Sequence, residues 1–417
     1  MAPEGKAMEN TETFKYISGG VCAAKGFKAA GIHCGIRRNK SKYDLAMIAA
    51  DKRCAAAAVY TTNKVKGAPI AVTRANIADG YARAVICNSG NANTCNADGE
   101  LKAKMMCDIA GEALGIAPQD VIVASTGVIG LTLPIEPIAE HTAELAAKLS
   151  TDGSADANLA IMTTDTVEKT VAVEFELDGK PCRIGGIAKD SGMIHPNMAT
   201  MLGFLTTDVS ISPAALQQAL SDCVADTFNM ISVDGDTSTN DMVCILASGD
   251  AGNVTIEGAG AGMSAFTAAL HAVCRNIARK LAADGEGASR LIECTVKGAP
   301  TVVDARTAAK SVVSSSLFKA AVFGADANWG RVLCALGYSG AEFDPSKTDV
   351  DMSSEKGCMA VCRGGFGVEF SEDEAKKILS EKEIFVTVDL HEGDCSATAF
   401  GCDLTYDYVK INGDYRT

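Results

Sequence analysis

The sequence of 417 residues lacks the segments that direct a chain to export or into a membrane. Residues 1–20 contain no basic stretch followed by an apolar one, and no run of 18 apolar residues occurs. We therefore expect a cytoplasmic protein without a membrane span, whose thiols stay reduced. In that setting, most of the 16 cysteines are predicted to act as small buried hydrophobic side chains.

Aromatic residues and positive charge are also scarce. Aromatics make up 5% of the sequence, and 38 Lys+Arg face 52 Asp+Glu, which gives a net charge of -14. A negative field repels phosphate backbones and anionic lipids, so we expect no nucleic-acid and no membrane partner. A core of small side chains indicates closely packed layers of helix and sheet.

Motifs for metals and nucleotide cofactors are incomplete. The glycine-rich run 258–262 lacks the GxGxxG spacing of a dinucleotide site. An aspartate-rich loop begins like a calcium loop, but Thr239 and Ile245 replace its glycine and glutamate. Cys358 and Cys362 lack the second pair that a zinc finger needs. The sequence therefore predicts no metal and no cofactor.

The length fits two or three domains, and hydrophobic periodicity predicts a mixed fold. Residues 1–16 are polar and predicted to be loose. Residues 171–177 and 181–187 alternate around an Asp-Gly turn, which predicts a hairpin. Other strands are predicted at 45–49, 55–60, 84–87, 121–124, 243–247, 291–296 and 384–388, and helices at 101–114, 135–149, 214–229 and 265–283. These elements predict an α/β or α+β fold, with sheet covered by helix.

A segment rich in glycine, proline and asparagine precedes Thr200. If the chain were cut between Ala199 and Thr200, the new α-amine could take the proton of the threonine hydroxyl. Its pKa of about 7.7–8.0 lies close to working pH. Ala199 is small and leaves its carbonyl open to attack. A plain turn entering a buried strand has the same residue pattern, so the residues alone leave both interpretations open.

The run from Gly192 to Leu202, GMIHPNMATML, resembles the processing site of the ornithine acetyltransferase family, also called glutamate N-acetyltransferases. The position after Lys189 is commonly glycine in that family and is Asp190 here. Further matching motifs extend the resemblance over about 17–417: NSGNAN at 88–93, STGVIG at 125–130, MTTD at 162–165, DGDTSTND at 234–241, DGEG at 284–287, GADANWGR at 324–331 and YVKINGDYRT at 408–417.

The resemblance implies that the precursor cuts itself between Ala199 and Thr200. An α chain, residues 17–199 after the loose segment, and a β chain, residues 200–417, would stay together and pair into a heterotetramer. The implied fold is a sheet-and-helix sandwich resembling N-terminal nucleophile hydrolases with different connectivity.

The implied activity belongs to arginine biosynthesis. Acetyl passes from N-acetyl-ornithine to Thr200, ornithine leaves, and glutamate then takes the acetyl group in a ping-pong reaction. No cofactor is implied, although acetyl-CoA could serve as a second acetyl donor.

The resemblance also implies roles for individual residues. Thr126 and Gly127 match the oxyanion positions, where each donor is worth about 10²–10³ in rate. The substrate-binding positions map onto Thr163, Lys189, Thr200, Glu286, Asn412 and Thr417.

Three of these assignments carry a physical expectation. Glu286 could pair with the α-ammonium of an amino-acid substrate. Lys189 would disfavour the protonated form of a nearby α-amine. Because that amine can act as the base, His195 is predicted to pack the loop or lie near the substrate.

Two other function classes stay open. A self-processing aminopeptidase or amidohydrolase would use the same nucleophile and replace the acceptor amine with water. An unprocessed binding protein would not be cut at all. Glu286, together with Asn412 and Thr417 near the end of the chain, favours an amino-acid-shaped acceptor pocket.

Overall fold

The computed structural model describes residues 14–195 and 201–414. The strands are β1 (Phe14–Ile17), β2 (Phe27–Ile32), β3 (Leu45–Tyr60), β4 (Tyr81–Asn91), β5 (Val121–Val128), β6 (Lys169–Leu177), β7 (Lys180–Lys189), β8 (Leu202–Thr207), β9 (Ile231–Ser232), β10 (Met242–Ala247), β11 (Leu291–Ala299), β12 (Asp349–Ser354), β13 (Gly357–Arg363), β14 (Phe366–Gly367), β15 (Glu383–Asp389) and β16 (Cys395–Cys402). The helices are α1 (Ala68–Asn76), α2 (Gly99–Leu114), α3 (Glu136–Ala147), α4 (Ser154–Ile161), α5 (Pro213–Asp226), α6 (Ala261–Ala283), α7 (Val302–Ser314), α8 (Ser316–Phe323), α9 (Trp329–Gly337), α10 (Glu372–Leu379) and α11 (Tyr406–Asp414).

Two sheets share a layer of helices. The first sheet has the strand order β1-β6-β7-β8-β10-β3-β4-β5, with β2 also paired to β3, and the second has the order β14-β13-β12-β15-β11-β16-β9. Helix α6 packs on β6 and β7 of the first sheet and on β11 and β16 of the second. The largest hydrophobic cluster runs through this layer. The architecture is an α+β sandwich, which confirms the predicted fold class.

Helix α6 illustrates why the core contains so many small residues. It buries Phe266, Leu270, Val273 and Ile277 at helical spacing, together with alanines such as Ala278. A helix covered from two sides needs apolar residues around most of its circumference. The small alanine side chains among these buried positions leave room for both sheets to pack against the helix.

Strand β3 differs from its prediction. The sequence predicts two strands, at 45–49 and 55–60, whereas the structure has one strand of 16 residues. The exposed polar residues 51–53 interrupt the apolar pattern, and they lie between residues 45–50, which pair with β2, and residues 55–60, which pair with β10. The register with β4 shifts between Ala49 and Cys54, so the strand continues through an irregularity.

The N-terminal prediction is also revised in part. Residues 1–13 lie outside the described residues, but the rest of the segment predicted to be loose belongs to β1. Phe14 pairs with Phe175 in β6, and the ring of Phe14 packs edge-on against Tyr16. The alternating side chains of this short run allow it to extend the sheet at its edge.

The pairing around β8 determines where the chain near residue 200 emerges. Lys189 at the end of β7 pairs with Leu202 at the start of β8, and Leu202 pairs with Met242 at the start of β10. The end of β7 and the starts of β8 and β10 therefore lie side by side, at the same ends of these three neighbouring strands. Residues 190–195, which follow β7, begin at this end of the strands, next to the start of β10.

Two predictions from composition can be compared with the structure directly. All 16 cysteines are free, and most are buried, which confirms their role as small core residues. Among the helices of the described ranges, none is long and apolar enough to cross a membrane.

Candidate active site

One small cavity brings together the described part of the predicted site. Its volume is about 180 Å³, below the about 300–1,000 Å³ that is usual for pockets of larger ligands. Six of the predicted positions line it: Thr126, Gly127, Thr163, Lys189, Glu286 and Asn412. Ala199, Thr200 and Thr417 lie outside the described residues.

The two predicted oxyanion donors lie in strand β5 and line the cavity. Thr126 is buried and is followed by Gly127, whose φ of 130° is favourable only for glycine. A Cβ on Gly127 would lie 2.6 Å from the backbone nitrogen of Asn91. The close pairing of β4 with β5 therefore requires glycine here and exposes its backbone to the cavity.

Lys189 connects this wall to the end of β7. Its Nζ donates to Thr126 Oγ1 at 3.1 Å and to Asp190 Oδ1 at 3.0 Å, and the side chain is buried. Burial would lower the pKa of Lys189, but the charges of Asp190 and Asp165 outweigh it and raise the pKa. The lysine is therefore held as an ammonium ion inside the protein.

Asp190, the departure from the family pattern, is part of the site. Its carboxylate accepts the hydrogen bond of Lys189, and its backbone N–H donates to Asp165 Oδ1 at 2.8 Å. Burial raises the pKa of Asp190 to about 7, and Asp165 adds to the rise while Lys189 opposes it. The side chain therefore alters the charge beside Lys189 instead of facing solvent.

A second ionic group lies behind the cavity wall and was missed by the sequence reasoning. Lys169 is fully buried and donates to Asp165 at 2.6 Å and to Asp284 at 2.5 Å. The second oxygen of Asp165 accepts from the backbone N–H of Thr163 at 2.8 Å. This network fixes the loop that carries Thr163. Asp165 is only four positions from Lys169, but Asp284 is 115 positions away, so the sequence did not show that the three side chains meet.

Another part of the cavity wall depends on helix α11. Asn412 Nδ2 donates to Glu286 Oε2 at 2.8 Å, and the backbone N–H of Glu286 donates to the carbonyl of Ser191 at 2.8 Å. A Cβ on Gly192 would lie 2.5 Å from the carboxyl carbon of Glu286. Glycine at 192 therefore makes room for this carboxylate beside the segment that leads to the predicted cut.

Both flanks of the predicted cleavage bond are anchored, although residues 196–200 are not described. Before it, the backbone N–H of Ile194 donates to Asp234 Oδ1 at 2.9 Å. After it, the backbone N–H of Met242 donates to the carbonyl of Met201 at 2.9 Å. Asp234, the first aspartate of the calcium-like loop, therefore accepts a hydrogen bond from the protein backbone.

His195 is held away from the cavity lining. Its Nδ1 lies 3.0 Å from Ser232 Oγ, and Thr237 Oγ1 donates to its carbonyl at 2.7 Å. Burial, with a smaller contribution from Lys310, lowers the pKa of His195 to about 4. The ring is therefore neutral near pH 7, and its contacts favour the loop-packing role.

The loop before β10 contributes two further residues that the sequence reasoning did not assign. Asn240 Nδ2 donates to the carbonyl of Ser125 at 3.0 Å and so ties this loop to β5. Asp241 is buried at the cavity, and within the described residues its Oδ2 has no hydrogen-bond partner. Burial and the nearby Asp190 raise the pKa of Asp241 well above its usual range.

Within 14–195 and 201–414, no group of three or more His, Cys, Asp or Glu side chains is placed to hold a metal ion. The side chains that line the cavity carry hydroxyl, amide, ammonium and carboxyl groups.

Known proteins resemble this chain over almost its whole length. The family model of the ArgJ family matches residues 28–417. The arginine biosynthesis bifunctional protein ArgJ of Symbiobacterium thermophilum is 54% identical over 405 residues, which are 97% of this chain and 100% of that protein. The glutamate N-acetyltransferase of Methanothermobacter thermautotrophicus is 46% identical over 415 residues, which are 98% and 100% of the two chains.

A solved structure agrees with these relatives. The crystal structure of arginine biosynthesis bifunctional protein ArgJ from Bacillus halodurans is 46% identical, with a TM-score of 0.50, and the match covers 52% of this chain and 100% of that chain. On the family match and the identities together, the chain belongs to the ArgJ family.

Proposed function

We propose that this protein is a glutamate N-acetyltransferase of arginine biosynthesis. It moves acetyl from N2-acetyl-L-ornithine to L-glutamate through an acetyl-Thr200 intermediate. The observation that carries the proposal is the cavity that Thr126, Gly127, Lys189, Glu286 and Asn412 line together. Membership of the ArgJ family supports the same activity.

The first half-reaction breaks the amide bond of the acetyl donor. The Thr200 hydroxyl attacks the acetyl carbonyl while its own α-amine takes the hydroxyl proton. The oxyanion accepts hydrogen bonds from the Thr126 hydroxyl and the Gly127 N–H. The C–N bond then breaks, the proton passes to the leaving nitrogen, and ornithine departs.

The second half-reaction reverses these steps with another amine. The α-amine of glutamate attacks the acetyl ester of Thr200, and the Thr200 oxygen leaves with a proton. Glu286, held by Asn412, pairs with the α-ammonium of the departing ornithine and of the arriving glutamate. The arriving ammonium gives one proton to the free α-amine of Thr200 before its nitrogen attacks, and that proton then goes to the Thr200 oxygen as it leaves. Thr163, Lys189 and Thr417 complete the substrate contacts. A site closed to water would separate this transferase from a hydrolase.

Self-cleavage between Ala199 and Thr200 would supply the required α-amine. The chains 1–199 and 200–417 would remain associated and pair into a heterotetramer in the cytoplasm. The solved Bacillus halodurans chain supports a cut near the middle, because its whole length matches only 52% of this sequence. Leu202 lines the cavity two residues after the proposed nucleophile. Acetyl-CoA is proposed as a second acetyl donor.

Two measurements test the proposal. The protein is incubated with glutamate and either N-acetyl-ornithine or acetyl-CoA, and N-acetyl-glutamate and acetate are quantified. The intact mass of each chain is recorded in parallel. We expect two chains and N-acetyl-glutamate with the first donor. Acetate alone would indicate a hydrolase, and an active but uncut chain would overturn the mechanism.

Thr200→Ala should abolish both cleavage and transfer because it removes the attacking hydroxyl. Thr206→Ala is the matched control, since Thr206 lies in β8 and donates to the carbonyl of Val21 outside the cavity. The control should still be cleaved and active. Cleavage of Thr200→Ala at the same bond would show that another group attacks it.

A further inference from the structure

The hydrogen bond between Lys189 and Thr126 has a defined direction. A lysine ammonium carries only donors, so Thr126 Oγ1 must accept at 3.1 Å. The hydroxyl proton of Thr126 must then point elsewhere. In the part of the chain that the structure describes, this hydroxyl donates to no hydrogen-bond acceptor, and Thr126 lines the cavity. Its proton is therefore available to a negative oxygen in the cavity.

Asp190 fixes the ammonium that imposes this direction. Three carboxyl groups influence Lys189, those of Asp165, Asp190 and Asp241, but among the described residues only Asp190 lies within hydrogen-bond distance of Nζ. The same oxygen of Asp190 accepts from the backbone N–H of Ser191 at 3.2 Å. A long lysine stem has many rotamers, so a fixed carboxylate greatly reduces its freedom.

The carboxylate is itself held from behind. The backbone N–H of Asp190 donates to Asp165, which is held in turn by Lys169 and by the backbone N–H of Thr163. A continuous series of buried contacts therefore runs from Lys169 through Asp165, Asp190 and Lys189 to the cavity. Two of the three ammonium N–H groups of Lys189 are accounted for among the described residues, which leaves one for a substrate carboxylate.

We infer that Asp190 is a positioning residue for acetyl transfer: it holds the ammonium of Lys189 against Thr126, so that the Thr126 hydroxyl directs its proton toward the oxyanion. Asp190 touches neither the acetyl group nor the nucleophile in this role. The inference rests on the proposed function and assigns a task to the side chain that departs from the family pattern.

A double-mutant cycle tests this role. Asp190→Ala should lower kcat by about tenfold, the cost of losing a hydrogen bond to a charged group, and change KM by less than about twofold. In a Thr126→Val background, where no hydroxyl remains to be oriented, the same change should lower kcat by less than about twofold. Rates are expressed per cleaved chain, as measured by mass spectrometry.

Two further variants separate positioning from structural support. Asp190→Asn should retain more than about a third of kcat, because its amide oxygen can still accept from Lys189. Asp208→Ala is the matched control, since this buried carboxylate accepts from the backbone N–H of Lys25 and of Arg183 and does not line the cavity. The control should lower Tm but leave kcat per cleaved chain unchanged, alone and with Thr126→Val.

The outcomes distinguish the two proposals. If the wild-type protein makes N-acetyl-glutamate but Asp190→Ala lowers kcat equally in both backgrounds, only the positioning role is overturned. An unchanged kcat with a lower Tm overturns it as well. A wild-type protein without transfer activity overturns the proposed function and this role together. Should Thr126→Val prevent cleavage, Lys189→Met provides the second background, with the same expectation.

Discussion

Two buried clusters contain the same groups, one lysine and two aspartates, but differ in how completely they are hydrogen-bonded. The Lys169 cluster consists of Lys169, Asp165 and Asp284. Both carboxylates accept from the ammonium, and backbone N–H groups of Thr163 and Thr166 donate to their other lone pairs. Burial opposes ionisation of Asp165, yet the two nearby lysines hold its pKa below the usual range.

The Lys189 cluster consists of Lys189, Asp190 and Asp241 and lines the cavity. Here only Asp190 lies within hydrogen-bond distance of the ammonium, and Oδ2 of Asp241 has no partner within the described residues. Burial raises the pKa of both aspartates. One ammonium therefore does not compensate two desolvated carboxyl groups.

The difference separates structural support from chemistry. A buried charge that is fully paired holds the backbone in place, and breaking the pair is costly. A buried polar group that is incompletely paired costs stability and is found where a ligand or a reaction needs it. The Lys169 cluster is predicted to stabilise the loop that carries Thr163. The Lys189 cluster is predicted to affect the rate of acetyl transfer.

The largest expected effect comes from removing the cation of each cluster. Lys169→Met leaves two paired carboxylates buried without their ammonium and should destabilise the protein by about 3–5 kcal/mol. Lys189→Met should destabilise it less, because Asp190 can take up a proton, while kcat falls by about tenfold or more. Chemical denaturation and transfer assays on both variants provide the comparison. Equal losses of stability would contradict the distinction.

An intermediate effect is expected in the pH dependence of stability. The pKa of Asp190 is about 7 in the folded chain, against about 3.9 when unfolded. Between these values the unfolded chain has released the proton that the folded chain keeps, so this group lowers stability as pH rises from about 4 to 7. Asp165 acts in the opposite sense, since its stabilising contribution is lost when pH falls below its usual pKa range.

Asp190→Asn should remove the loss of stability that Asp190 causes between about pH 4 and 7. The measurement is the free energy of unfolding against pH, for wild type and variant under the same salt conditions. If the difference between the two curves stayed constant across that range, Asp190 would titrate normally, and the contrast between the clusters would be weaker.

The smallest effect is expected from His195, which belongs to neither cluster. His195→Gln should leave kcat/KM within about twofold, because its contacts hold the loop and the ring does not line the cavity. Its lowered pKa means that wild-type stability falls as pH drops from about 6.5 to 4, and the variant should lack this contribution. A loss of transfer of 100-fold at neutral pH would show that the ring takes part in the reaction.

Local sequence patterns predicted much of the fold. The hairpin of β6 and β7 and the strand β10 follow from alternating or continuous apolar residues between turn signals. The single strand β3 did not, because the charged residues 51–53 interrupt the apolar pattern, whereas pairing of residues 45–50 with β2 and of residues 55–60 with β10 keeps the chain extended on either side of them. Pairing with neighbouring strands, which are distant in the chain, overrode the local signal.

In the candidate site, too, the sequence predicted the residues but not their contacts. Motif resemblance identified Thr126, Gly127, Lys189 and Glu286, but it gave no partner for any of them. The contact of Lys189 with Asp190 could not be predicted, because adjacent side chains in a strand normally point to opposite faces. Asp190 follows the last residue of β7, where that alternation no longer applies.

The sequence by itself determined the reactive types of residue, their order along the chain and the apolar periods of most helices and strands. Only the tertiary structure decided which carboxyl groups share an ammonium and which one is left incompletely paired. Hydrogen bonds and pKa values depend on distances of a few ångströms and on burial, and residues more than 100 positions apart acquire these only when the sheets and helices pack.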